Sequence, residues 1–352
     1  MSAWFGGKKK VEETVLVLDI ESGSVGSALA RISTKHAPKL FADNRVALPV
    51  PATLDAHKLL RATEKATQEA LLHTATIAGR LRTSALYTGN ASQKASHTIK
   101  NIAKAGTVDR AEVFLSPPWS DFTPAKRGNA WTHEPLLLAQ TRKAIEQVFG
   151  AILITFHPLG SMVAQTTYRL FEQPDETLFA TLGGEVLELV LSQEGRLRGR
   201  STLPVGTNTL VRTLQTHGGI SLPEARSALH LARFSTMSDT LGNHSPYAQP
   251  LAAVQQLLLS HINTVSDELL RFSQAGTIIV VAPEPVGELL ARGFASEPAL
   301  LDIFPHRAQV RALHTHHLTP HLAAHAPNPD LLLILEALAV EKCITQLAVP
   351  SR

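Results

Sequence analysis

The feature that most constrains this chain is a layout stated twice. In the first half, three strand-like runs, Thr14 to Asp19 (TVLVLD), Ser24 to Ile32 (SVGSALARI) and Lys39 to Val50, lead into a helix-like stretch. That stretch, Leu54 to Ala78, carries Leu59, Ala62, Ala66, Ala70 and Leu71 at three- and four-residue spacing. In the second half, Thr177 to Leu182, Val186 to Ser192 and a third run ending near Pro204 form another meander. It enters helical patterns at Thr207 to Leu214 and Leu222 to Ala232. Short β-branched runs between turn residues mark strands, and recurrence every three or four residues marks helices. A repeated mixture of this kind is what two related α/β lobes produce.

The remaining segments fill in the same scheme. Ala111 to Leu115 reads as a strand before the Pro117-Pro118 break, Asp121 to Glu134 as loop, and Leu136 to Phe149 as helix. Ala151 to Phe156 reads as a strand and Ser161 to Phe171 as helix. A long helix is expected from Leu251 to Phe272, with Val254, Leu257, Leu258, Ile262, Val265 and Leu269 on one face. Thr277 to Ala282 is a buried strand, and Leu331 to Arg352 a packed helix with a short tail. The 352 residues suffice for two cores of about 150 to 200 residues each. The expected division is a flexible tail at 1–13, a first lobe at 14–175 with a reduced small subdomain near 85–150, and a second lobe at 176–329. The helix at 330–352 completes the first lobe.

Charge and cysteine usage exclude several classes. The 33 basic and 30 acidic residues are spread evenly, with no basic run beyond Lys8, Lys9 and Lys10, so nucleic-acid binding has no support. The single cysteine, Cys343, excludes an internal disulfide framework and fits a reducing cytoplasm as a small apolar side chain. No run approaches a membrane span; the longest, Leu331 to Val340, is short and contains Glu336. Lysines follow the aromatic pair Trp4-Phe5, so Met1 to Glu13 does not read as a signal peptide and the protein is expected inside the cell. The same tail could touch an anionic membrane surface transiently.

Two places combine a strand end with small turn residues, the arrangement that turns backbone N–H groups toward phosphate. In the first, Asp19 ends a buried strand and could hold hydrated magnesium while Ser22, Gly23 and Ser24 wrap phosphate oxygens. The second is Thr181-Leu182-Gly183-Gly184-Glu185. Each alone reads as a hairpin turn; their matching positions in two meanders add weight. Other constellations read as structural. His314, His316, His317, His321 and His325 form a solvated loop without an acidic neighbour between Val310 and Asn328, and zinc sites want such neighbours. His157 and Ser161 lack a nucleophile elbow and an evident acid.

These residues carry a resemblance. Val15 to Ala28 looks like the first phosphate loop of actin-like ATPases, and Phe179 to Leu214 resembles the second phosphate loop of the FtsA and PilM proteins. Pro223 to Ala232 sits where those families carry a Glu-Ala-Glu helix, and Thr277 to Gly287 sits at their adenosine loop, which brings in Pro283 and Gly287. The lead Trp4 to Lys10 is similar to the lysine-rich start of PilM-like chains, and the lack of a C-terminal basic amphipathic helix leans toward PilM over FtsA. The resemblance implies a two-lobed actin-like, ribonuclease H-like duplicated fold with a nucleotide cleft centred on Asp19, Ser22, Gly23, Ser24, Gly183, Gly184, Glu185, Pro283 and Gly287.

Departures from the family pattern point to erosion. Thr181 stands where the second loop has an aspartate, Val186-Leu187 where it has threonines, and Ala282-Pro283-Glu284-Pro285 where a glycine run approaches the base. ATP and magnesium are therefore implied as ligands whose site has degenerated. The expected role is a cytoplasmic scaffold at the inner membrane, binding a PilN-like cytoplasmic peptide in type IV pilus assembly or self-associating. The alternatives are an FtsA-like division protein, a divergent ATPase, or a phosphotransferase using Glu21 or Glu185 as its carboxylate.

Overall fold

The computed structural model describes residues 12–51, 53–87, 108–123, 130–171, 176–194, 196–231, 253, 256, 257, 260, 276–283, 286–296, 309–325 and 328–348. The first half contains β1 (Glu12–Ile20), β2 (Ser24–Ser33), β3 (Lys39–Ala47), α1 (Ala56–Tyr87), β4 (Arg110–Leu115), β5 (Ser120–Thr123), β6 (Ala130–His133), α2 (Pro135–Phe149), β7 (Leu153–Pro158) and α3 (Leu159–Phe171). The second contains β8 (Glu176–Leu182), β9 (Leu187–Gln193), β10 (Arg196–Leu203), α4 (Thr207–Gly218), α5 (Leu222–Leu231), β11 (Thr277–Val281), α6 (Val286–Ser296) and β12 (Gln309–Ala312). The short α7 (Thr315–Leu318) and the long α8 (Leu331–Ala348) follow.

The duplication read in the sequence is a duplication of topology. The first large sheet has the order β3-β2-β1-β4-β7 and the second β10-β9-β8-β11-β12. In each, the meander is antiparallel and the two later strands are parallel to its first strand. The chain is thus an α/β fold of two lobes with one plan.

Strand burial explains how the lobes are layered. Leu16, Leu18 and Ile20 of β1 face outward into a core with Leu59, Ala66, Ala70 and Leu71 of α1 and Leu137 and Ile145 of α2. Leu178, Ala180 and Leu182 of β8 face a matching outer core with Leu210 and Leu214 of α4 and Leu290 and Phe294 of α6. The alternate residues Val15 and Val17, with Phe179, Val190, Ile279 and Val281, face inward. Between the sheets lie α3 and α8; α8 packs on β1, β2 and β3, and α3 on β8, β9 and β10. A helix covered on all sides has no polar face to keep, and every residue from Leu331 to Val340 is buried.

Several expectations shift. Asp121 to Glu134, read as loop, contains the β5–β6 hairpin, with Phe122 opposite Trp131; four-residue strands carry too few alternations to be seen in sequence. The helix expected to end at Ala78 runs to Tyr87, and β12 extends the second sheet through only four residues. The helix expected at 251–272 lies outside the described residues except for isolated positions.

Candidate functional site at the facing hairpin turns

The two turns singled out in the sequence meet each other. A Cβ built on Gly184 would stand 2.1 Å from Gly23 Cα, and one on Gly23 2.5 Å from Gly184 Cα. Only two glycines permit backbones so close. The Glu185 amide donates to Ser22 Oγ at 2.8 Å across the same contact. The α4 N-terminus closes behind the second turn, where the Asn208 amide donates to the Gly184 carbonyl at 2.8 Å.

The acidic residues of both turns already have cationic partners. Glu185 is buried and accepts from Arg212 Nη2 at 2.5 Å, Arg212 Nη1 at 3.1 Å and Asn208 Nδ2 at 2.9 Å. Asp19 is wholly buried and accepts from Arg45 Nη2 at 2.6 Å, while Arg45 Nη1 reaches Glu21 at 3.0 Å and Ser24 Oγ at 2.8 Å. Ser24 Oγ donates to Glu21 in turn. Arg45 Nε and Nη2 also grip Asp330 at 2.6 and 2.8 Å. Asp330 caps α8, accepting from the amides of Leu332 and Leu333 at 3.0 and 3.1 Å. Burial pushes the Asp19 carboxyl up to about 7 against the pull of Arg45, whereas at Asp330 the guanidinium and helix-end amides outweigh burial and hold it below the usual range.

Glu336 of α8 lies in the same neighbourhood. It is fully buried, with no hydrogen-bond partner for either carboxylate oxygen, and Asp19 Oδ1 also lacks one. Burial, followed by the negative charge of Asp19, raises the Glu336 carboxyl well above its ordinary range.

The polar groups of the two turns are engaged within the protein. Gly23 and Gly184 meet backbone to backbone, Ser22 Oγ is held by the Glu185 amide, and Asp19 Oδ2 carries the Arg45 guanidinium. Among the described residues no group of three or more histidine, cysteine or acidic side chains could hold a metal ion. Thr181 occupies the β8 position corresponding to Asp19 and leaves a buried, unpartnered hydroxyl; Leu187 sits wholly in the outer core.

Two cavities flank the contact. One of about 350 Å³ is lined by Glu21, Gly23, Gly184, Asn208, Arg226 and Pro283; another of about 510 Å³ by Glu21, Asp43, Arg45, Pro283, Asp330 and Leu332. Pro283 therefore reaches the site. The Gly287 amide donates to the Pro283 carbonyl at 3.2 Å within the first turn of α6, and a Cβ built on Gly287 would come within van der Waals contact of Ala282.

The other constellations resolve differently. His314 has an acidic neighbour after all, Glu288 of α6 at 2.9 Å, and its ring packs against His316 and His317. His157, one residue before the end of β7, pairs with Glu112 at 2.6 Å, an acid from β4 that sequence spacing does not reveal. Burial, then Arg110, pushes His157 down to about 4, so it is neutral.

The chain matches no family model and no curated protein sequence. Its structure is similar to that of the protein in a PilM–PilN type IV pilus biogenesis complex, with 13% identity, a TM-score of 0.52, and 94% of this chain and 97% of that chain covered. It is also similar to MreB 5 of Spiroplasma citri bound to AMPPNP, at 11% identity and a TM-score of 0.48, over 96% and 98% of the two chains. The ethanolamine utilization protein EutJ of Carboxydothermus hydrogenoformans aligns at 10% identity and a TM-score of 0.46, over 86% and 90%. With duplicated sheets of identical order and whole-chain likeness to the PilM–PilN structure, the chain has a two-lobed α/β actin-like fold.

Proposed function

We propose that this protein is a scaffold of a membrane-associated assembly that uses the actin-like body without turning over nucleotide. The observation that carries the reading is the backbone contact of Gly23 with Gly184, which brings the two glycine turns together. The paired carboxylates agree with it: Glu21 and Glu185, the candidates for a catalytic base, are held by Arg45 and Arg212, and a base locked in a charge-assisted pair is poorly placed to take a proton. The likeness to the PilM–PilN structure supports a PilM-like role, in which the body binds a short cytoplasmic peptide of a PilN-like partner at the inner membrane. Among the described residues no helix is long and apolar enough to cross a membrane, so attachment through such a partner is consistent with the chain.

The test is calorimetric titration of the purified protein with magnesium-ATP, beside a pull-down with the cytoplasmic segment of the partner. No heat with ATP and retention of the peptide are expected. Micromolar ATP binding would instead show that the turns still close on nucleotide, and ATP hydrolysis lost in Glu21→Gln or Glu185→Gln would establish the divergent ATPase.

A further inference from the structure

We propose that a cavity of about 280 Å³ at the edge of the first lobe binds a small monocarboxylate with an apolar body, the carboxylate held by Thr166 and Arg169 of α3. The site goes beyond the scaffold role and shares no lining residue with the two cavities beside the facing turns. The magnesium-ATP titration and the peptide pull-down therefore leave it untouched, whatever their outcome.

The site begins with a departure from the pattern of the sheet. On β1 the inward residues Val15 and Val17 belong to the core between the sheets. Their partners on β4 are Arg110 and Glu112, while Ala111, Val113 and Leu115 fill the outer core. Glu112 is buried, held by Arg110 on one side and by His157 at 2.6 Å on the other, and Arg110 Nε also donates to Glu13 at 3.1 Å. The His157 ring stacks on Phe114 with centroids 5.1 Å apart. Replacing a buried ion pair by apolar side chains is commonly neutral or stabilising, so stability alone does not call for charges at these inward positions. Such local breaches gather at functional sites.

The lining sets the ligand chemistry. Phe114, Met162 and Val340 give the cavity apolar walls. A cavity of about 150 Å³ already holds a benzene ring, so this one has space for a ring or short alkyl chain with a head group. Met162, Thr166 and Arg169 recur at four- and three-residue spacing, on one face of α3. The Thr166 hydroxyl donates to Met162 Sδ at 3.5 Å, a weak acceptor that an anionic oxygen would displace. Among the described residues the exposed Arg169 guanidinium has no hydrogen-bond or ion-pair partner. The other charges balance: Arg110 faces Glu112 and Glu13, and His157 is neutral because burial, then Arg110, pushes it down to about 4. The unpaired guanidinium matches a single carboxylate, whose two oxygens its planar fork can take together.

The experiment titrates the full chain calorimetrically with phenylpropionate and with hexanoate, takes phenylpropylamine as the cationic control, and follows the methionine methyl resonances. The chain has three methionines, so a shift confined to Met162 locates the ligand. Saturable binding of at least one of the acids, one per chain, is expected with that shift and without binding of the amine. Because a hydrogen bond to a charged group is among the stronger ones, Arg169→Gln should weaken the acid at least about tenfold. Its melting temperature should stay unchanged, since the position is exposed. Thr166→Val keeps the side-chain shape and should weaken the acid by a smaller factor. Absence of binding by both acids at millimolar concentration would overturn the inference. Equal binding of the amine, an unmoved Met162 methyl, or an affinity unchanged in Arg169→Gln would overturn it as well.

Discussion

Asp19 and Arg45 stand in one row of the first sheet with Gly26 between them, and the guanidinium crosses that glycine to meet the carboxylate at 2.6 Å. A substitution at the glycine should therefore break the pair. Gly26→Val places a branched side chain where Arg45 Nη2 and Leu333 now lie, and displaces the guanidinium from a wholly buried aspartate. Breaking a buried pair by removing one partner costs about 3–5 kcal/mol. A loss of that order is expected in urea denaturation, even though valine suits a strand better than glycine. An unchanged midpoint would mean that Arg45 reaches Asp19 by another path.

The pH dependence follows from the same cluster. Asp19 is raised to about 7 by burial, with Glu21 and Asp330 adding to the rise and Arg45 opposing it; Glu336 of α8 completes the groups around it. A carboxyl whose folded pKa exceeds its unfolded value contributes stability that is full below the unfolded pKa, near 3.8, and is lost as pH climbs to about 7. Each tenfold difference in proton affinity between the folded and unfolded chains is worth about 1.4 kcal/mol. The folding free energy of the natural protein should therefore decline from about pH 4 to 7, and Asp19→Asn should flatten the decline. Glu21, raised in the same direction by burial, leaves a residual slope. Equal slopes in the two proteins would show that Asp19 is ionised throughout.

Much of this fold was legible in the sequence because strands and turns are local. The runs at Thr14 to Asp19 and Thr177 to Leu182 became the central β1 and β8, and both glycine turns fall where expected. The partners of the turns were not legible. Arg45 lies 26 residues from Asp19 and Asp330 lies 285 from Arg45, and nothing local tells a buried arginine from a solvated one. One signal was available: Asn328-Pro329-Asp330 before an apolar run has the form of a helix start, with Asp330 as its cap. The contact of Gly23 with Gly184 is also invisible to spacing, because small turn residues look alike whether they face a phosphate or each other.

Gly184→Ala tests whether the turns touch. Its Cβ would meet Gly23 Cα and N at 2.1 and 2.3 Å, atoms of backbone that cannot swing aside. Overpacking typically costs about 1–3 kcal/mol, here relieved by parting the turns. Hydrogen exchange should quicken at the Glu185 amide, whose bond to Ser22 Oγ depends on the contact. Because the amide of Leu48 donates to the Gly23 carbonyl at 2.8 Å, exchange there should quicken as well. Protection equal to the natural protein at both amides would show that the turns lie apart in solution.

Arg200 offers the last test, of another contact between the lobes. From β10 it donates to Glu188 of β9 at 2.5 Å, and crosses to the Ser120 carbonyl at 3.0 Å and Asp121 at 2.8 Å. The Arg200 and Glu188 side chains are 4% and 2% exposed, whereas Asp121 is 76% exposed and adds little. Glu188 is raised by burial and restrained by Arg200, and its carboxylate fills the space above Gly160 at the start of α3. Arg200→Ala strands that carboxylate and should cost about 3–5 kcal/mol. Glu188→Gln in the same chain removes the stranded charge and should recover part of the loss, a coupling that a double-mutant cycle in urea measures. Additive losses in that cycle would show that Arg200 acts through the lobe contact at Ser120 rather than by neutralising Glu188.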